Sequence, residues 1–282
     1  MNIRPTTYDF SLADLIPAAT GPAWLTDLKS KAVETHRKLG IPTPATEEWK
    51  YTPLRQLGAT QFKKASFTGA VELPAAHEGS IRVVLVDGIF RADLSTLLDV
   101  EGLVVTSVAS AIDQGCEVTK NHLGAAARID EHTFAALNTA IFTDGVLVFL
   151  KRGAMVEPLI EIVHVAATPQ AVSTPRVLIV AEEGSSARIV ETYLSSSSET
   201  LSLPVTECFI AKDANVEHVR VQDEDLSSHH IALWQVRQEG SSEYRSYNIC
   251  FGSALGRVDQ SIWLGGSHVT TRLDGVVIGK GT

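Results

Sequence analysis

Residues 178–192, LIVAEEGSSARIVET, and residues 208–222, CFIAKDANVEHVRVQ, share one construction: an apolar run, a turn of small and polar residues, then an alternating stretch. The construction recurs twice more downstream. Its turns fall at Gly184-Ser185, Ala214-Asn215, Gly240-Ser241 and Gly266-Ser267, at separations of 30, 26 and 26 residues. The β-branched residues Val180, Ile210, Val236 and Ile262 each stand four positions before a turn. A weaker unit precedes them, with Gly153-Ala154 at 31 residues before Gly184 and Phe149 at the matching apolar position.

A period of this size marks stacked units, none of which can bury its apolar face alone, so that strands in register build a continuous core. Leu178, Val180, Ile189, Val190, Phe209, Ile210, Val219 and Val221 are mostly the β-branched and aromatic residues that strands favour. From Ser173 to Thr282 no long window carries apolar residues at helical spacing, and Gly, Ser, Asn and Asp punctuate the chain. The fold class read from this is mainly β, a right-handed parallel β-helix preceded by a small helical N-terminal region. Three parts are expected: residues 1–80 as the helical N-terminal region, 81–140 as the first strands with a helical insertion or cap, and 141–282 as the β-helix core.

In the first part, Pro22 to Leu39 reads as an amphipathic helix with Leu25, Leu28, Ala32 and Leu39 on one face. Lys29, Lys31, Arg37 and Lys38 lie elsewhere on it, and Gly40, Pro42 and Pro44 end it. The segment Glu47-Glu48-Trp49-Lys50-Tyr51-Thr52-Pro53-Leu54 is expected to staple this region to the body through Trp49, Tyr51 and Leu54; a partner surface is the other reading. Ile81–Val86 and Leu103–Val108 begin the sheets, and the helical pattern between Asp113 and Asn138 is expected to form an insertion or a cap, a cap being what the open first rung needs. Gly275 to Thr282 look like the middle of a further rung, so the chain is expected to be a truncated fragment whose open end self-associates.

With 282 residues and 44% hydrophobic content, the chain can bury a sizeable core. A formal net charge of −9 argues against a general nucleic-acid or anionic-membrane binder. Neither a long apolar run nor a secretory leader is present, which predicts a cytoplasmic protein. Cys116, Cys208 and Cys250 are odd in number and far apart, so reduced thiols are expected.

Chemistry-bearing residues are sparse. His229-His230 beside Asp223-Glu224-Asp225 are read as solvated loop histidines rather than metal ligands, and His164, His218 and His268 as satisfied or exposed strand residues. Cys208 and Cys250 are read as buried structural thiols and Cys116 as a loop thiol. Arg188, Arg220 and Arg237, with Glu182, Glu183, Glu191, Glu217 and Glu239, read as a solvated solenoid face. Phosphate-loop, dinucleotide, nucleophile-elbow and zinc-protease motifs are absent. No catalytic, cofactor-binding or metal-ligating residue is assigned.

The segment Glu48 to Leu54, the turn Val86-Asp87-Gly88, Lys151-Arg152-Gly153, Asn215 to Val219, Ser228-His229-His230 and Leu264-Gly265-Gly266 together resemble the SufB/SufD family, on its SufD side. The resemblance runs through the whole chain. It implies a non-catalytic scaffold in iron–sulfur cluster assembly, pairing with a SufB-type subunit and a SufC-type ATPase. The cluster is then built by the whole complex, with no cofactor bound by this fragment. Family members are longer, and the positions they use for cluster assembly are expected beyond residue 282. Two other readings compete: a SufB-like sulfur-accepting scaffold, for which Cys250 is the candidate, and a carbohydrate-active β-helix. The latter needs convergent carboxylates, and Asp223, Glu224, Asp225, Asp259 and Asp274 do not supply them.

Overall fold

A computed structural model describes residues 15–279 apart from 18, 19, 53 and 56. Pro53 of the tryptophan segment and residues 280–282 of the expected further rung therefore lie outside the described residues. In chain order the elements are α1 (Ala23–Leu39), β1 (Lys63–Lys64), β2 (Ile81–Val86), β3 (Ile89–Phe90), β4 (Leu103–Ser107), α2 (Val108–Asp113), α3 (Glu117–His122) and α4 (Thr133–Ile141). The solenoid proper follows: β5 (Gly145–Leu150), β6 (Ile160–Ala166), β7 (Ala171–Ser173), β8 (Arg176–Ala181), β9 (Ser186–Ser195), β10 (Leu201–Ser202), β11 (Val205–Ile210) and β12 (Asn215–Asp223). It ends with β13 (His229–Gln238), β14 (Glu243–Cys250), β15 (Leu255–Leu264) and β16 (Thr270–Val277).

One sheet stacks β5, β8, β11, β13 and β15 in parallel, and the other stacks β6, β9, β12, β14 and β16. Together they make a parallel β-solenoid of about five turns behind a small N-terminal helix, as the repeat predicts.

The register differs from the sequence reading by one or two residues. Strand pairing aligns Ser186, Asn215, Glu243 and Thr270, and the turn residues with positive φ are Gly153, Gly184, Asp213, Ser241 and His268. The equivalent of Gly184 is thus Asp213 rather than Ala214, and Ser241 and His268 rather than Gly240 and Gly266. Likewise Val180 pairs with Phe209, and Ile210 with Gln238, although Phe149–Val180 and Val236–Ile262 align as expected.

The helices do not cap the first rung. That end is closed by antiparallel β3 and β4, with Phe90, Val100, Leu103 and Val105 packed on Ile81, Val83, Leu85 and Val146. Antiparallel closure blunts a parallel edge. The helices instead lie on the outer face of the first sheet, where Leu123, Val118 and Ala111 meet Leu147, Leu178 and Val180. A buried ion pair pins them there. Arg176 pairs with Glu207 and donates to Asn138 Oδ1 (3.0 Å) and Thr139 Oγ1 (3.1 Å), while Glu207 accepts the Gly124 and Ala126 N–H groups at 2.8 Å each.

In α1, Leu25 and Ala32 face inward, but so does Lys29, whose ammonium reaches the Phe142 carbonyl at 2.7 Å; Leu39 is exposed instead. Trp49 and Leu54 are buried, with Trp49 against Phe134, and the Arg257 guanidinium 4.0 Å over the indole. Tyr51 does not join this staple, being 87% exposed.

Candidate functional site in the solenoid lumen

Inward side chains alternate along each strand, and the lumen is apolar beside the turns. Val148, Ile179, Cys208 and Val236 from one sheet meet Ile160, Ile189, Val216 and Tyr244 from the other. Toward the far ends of the second sheet's strands the lining becomes polar. Pairing stacks His164, Tyr193, Gln222 and Cys250 in one row, and Glu191, Arg220 and Asn248 in the next. From the opposite sheet His230, Thr206 and Ser202 face them, with Glu224 from the following loop.

Glu191 is the hub. Its carboxylate accepts the Tyr193 hydroxyl and Thr206 Oγ1 (3.2 Å), with His218 Nε2 2.9 Å from Oε1 and His164 Nε2 3.6 Å from Oε2. Burial works to raise this carboxyl, but the two flanking imidazoles outweigh it and hold it well below the usual range. Tyr193 is sandwiched, with His164 stacked on it at 4.2 Å, the His230 ring edge-on at 4.9 Å and the Arg220 guanidinium at 4.8 Å.

A second chain runs from Arg220 through His230 to Glu224. Because a guanidinium only donates, His230 Nε2 accepts from Arg220, and its Nδ1–H donates to Glu224 Oε2 at 2.6 Å. The ring is thereby fixed as one neutral tautomer. Burial pushes the His230 pKa down, and the Glu224 carboxyl is held low by His230 against the raising effect of its own burial. Arg220 Nη1 also donates to Asn248 Oδ1 (2.8 Å) and reaches Cys250 Sγ at 3.8 Å.

Several sequence readings are corrected by this arrangement. His229 and His230 are buried, as are Arg220 and Glu191, so none of these is solvated, while His164 and His218, read as satisfied or exposed, lie buried beside Glu191; of the three arginines read as solenoid face, only Arg188 and Arg237 are exposed. Cys208 is fully buried as expected, and burial, with Glu191 nearby, pushes its thiol well up. Cys250 is only half-buried, beside a cation, which departs from the inert-core reading. Among the described residues no three His, Cys, Asp or Glu side chains are grouped to hold a metal ion. The carboxylates weighed for carbohydrate chemistry are separately engaged: Glu224 with His230, Asp225 with Ser227, Asp259 with His132 and Arg257, and Asp274 with Arg272. The sequence reading missed Glu191, Tyr193 and Arg220 as core residues. A spacing of 29 residues, rather than 30, stacks Glu191 on Arg220 and would have placed both in one inward row.

Residues 13–162 match the SufBD protein N-terminal region, and residues 164–282 match the core domain of SufBD from SUF system FeS cluster assembly. The chain belongs to the SufBD family. An iron–sulfur cluster assembly SufBD family protein of Synechocystis is 28% identical over 85% of this chain and 56% of its own length. The iron–sulfur cluster assembly protein SufD of Bacillus subtilis is 25% identical, covering 92% of this chain and 62% of the relative. SufD of Escherichia coli is 24% identical, covering 86% and 56%. The SufBD chain described here therefore spans 56–62% of the length of these relatives. No helix among its described residues is long and apolar enough to cross a membrane.

Proposed function

We propose that this SufBD chain is a non-catalytic scaffold subunit of iron–sulfur cluster assembly, on the SufD side of the family, pairing with a SufB-type subunit and a SufC-type ATPase. The cluster is cargo of the assembled complex, and this chain contributes the platform. The observation that carries the reading is the match to both family regions in order, together with relatives named SufD along most of the chain. The lumen supports it, because its buried ions are committed to one another as a rigid core. In cells lacking the full-length protein, the activity of iron–sulfur enzymes is expected to fall and to return on re-expression. Unchanged activity on deletion would contradict the proposal.

One observation favours a second reading, that of a SufB-like sulfur acceptor. Cys250 is half-buried with Arg220 at 3.8 Å, and a reactive thiol needs exposure and an electropositive neighbour. Treatment with a persulfide donor, followed by mass measurement, separates the two. Rapid gain of one sulfur at Cys250, lost in Cys250→Ser, favours the acceptor; no specific gain favours the SufD side.

A further inference from the structure

Outward residues of the first sheet form two long rows across the rungs. One runs Leu147, Leu178, Glu207, Gln235, Ser261, and the other Phe149, Val180, Phe209, Arg237, Trp263. Over the first three rungs both rows are covered by the chain's own short helices: Val118 and Leu123 pack on Val180 and Phe209, and the His122 ring stands edge-on to Phe209 at 4.7 Å. Glu207 is spent on Arg176 and on the Gly124 and Ala126 N–H groups. Over the last two rungs the cover thins: Gln235 is still buried, but Arg237 and Trp263 are exposed.

There the rows change chemistry. Trp263 is 59% exposed on a strand rather than in a loop, and Arg237 beside it is exposed and makes no ion pair among the described residues. A groove of about 500 Å³ opens between them and the end of the helical insertion, with Ala126 and Arg128 as its wall and Gln235 and Ser261 on its floor. Arg128 sits at positive φ, pairs with Glu131 and donates to Ser261 Oγ at 3.4 Å, which holds its guanidinium at the rim. Two guanidiniums and an indole thus line one groove of a protein whose net charge is −9.

We propose that this groove docks an acidic, amphipathic helical segment of a partner protein. Its apolar stripe lies on Trp263 and continues the helical layer that covers Val180 and Phe209, while its carboxylates meet Arg237 and Arg128. A helix is the occupant because helices already cover the same rows one rung earlier. Acidic character follows from the unpaired Arg237. The inference is independent of whether the chain acts on the SufD or the SufB side.

The test is titration of the purified chain with a synthetic amphipathic helical peptide that carries glutamates beside a Leu–Phe stripe, and with its lysine-substituted analogue. Indole emission reports the groove through Trp263: Trp49 and Trp234 are buried, and the contribution of the half-buried Trp24 is removed by comparison with Trp263→Ala. Saturable binding of the acidic peptide alone, weakened by salt and by about tenfold or more in Arg237→Glu, is expected. Arg237 is exposed, so this variant keeps the fold, which a circular-dichroism melt verifies; Trp263→Ala is expected to abolish the emission change. Equal binding of both peptides, unaltered affinity in Arg237→Glu, or a dimer in sedimentation that shields Trp263 without added peptide would overturn the proposal.

Discussion

At the residue scale, the lumen is a case where burial and charge are balanced by pairing. Glu191 and Glu224 are held below the 4.5 of a free glutamate, and His230 below the 6.5 of a free histidine. The carboxylates stabilise the fold above their unfolded value, and that stability is lost as pH falls through their folded values. A histidine kept neutral by burial acts in the same direction, its stability being lost as pH drops below 6.5. Melting temperature is therefore expected to begin falling below about pH 6.5, where His230 would protonate on unfolding, and to fall further below about pH 4.5, where the carboxylates would, with a shallower slope below pH 4.5 in Glu191→Gln. A flat or rising profile would contradict the assigned pairing. These residues were hard to read because inward positions of β12 are Val216, His218, Arg220 and Gln222, while Val219 and Val221 point outward. Polar–apolar alternation normally marks the polar side as solvent. Here that rule assigns the wrong face.

At the element scale, the left-handed turn column sets the rung spacing. Gly184 has φ of 69°, and a Cβ built there meets nothing within 4 Å, so substitution tests backbone conformation alone. Gly184→Ala is expected to lower stability by about 1–2 kcal/mol in urea denaturation, whereas Ser241→Gly loses nothing. No loss in Gly184→Ala would remove the column from the account. Strands and turns were legible because apolar runs and small polar residues alternate at a visible period. The phase was not, since the left-handed residue is a glycine at Gly184 but Asp213, Ser241 and His268 in the next three turns, one or two positions away from Ala214, Gly240 and Gly266. The helices form an insertion between β4 and β5, but the face they cover was not legible, because their attachment depends on Arg176 and Glu207, which lie far from them in sequence. Arg176→Met leaves a buried carboxylate without its cation and is expected to cost about 3–5 kcal/mol. Faster amide exchange at Gly124 and Ala126 should accompany it, and unchanged exchange there would contradict the pinning.

At the scale of the whole molecule, the boundary between the two family regions, at residues 162–164, falls inside β6. β2 pairs with β6, and β6 with β9, so the N-terminal region contributes strands to the same stack that the core region continues. That continuity favours a rigid platform over hinged units, and it joins the tryptophan turn to the fifth rung through Arg257. The central claim is that such a platform serves iron–sulfur cluster assembly by holding partners. Its most direct measurement is affinity purification of the full-length protein, co-expressed with a SufB-type subunit and a SufC-type ATPase, followed by mass determination of the native assembly. A stable complex containing all three is predicted; recovery of the protein alone, with both partners expressed and soluble, would contradict the claim.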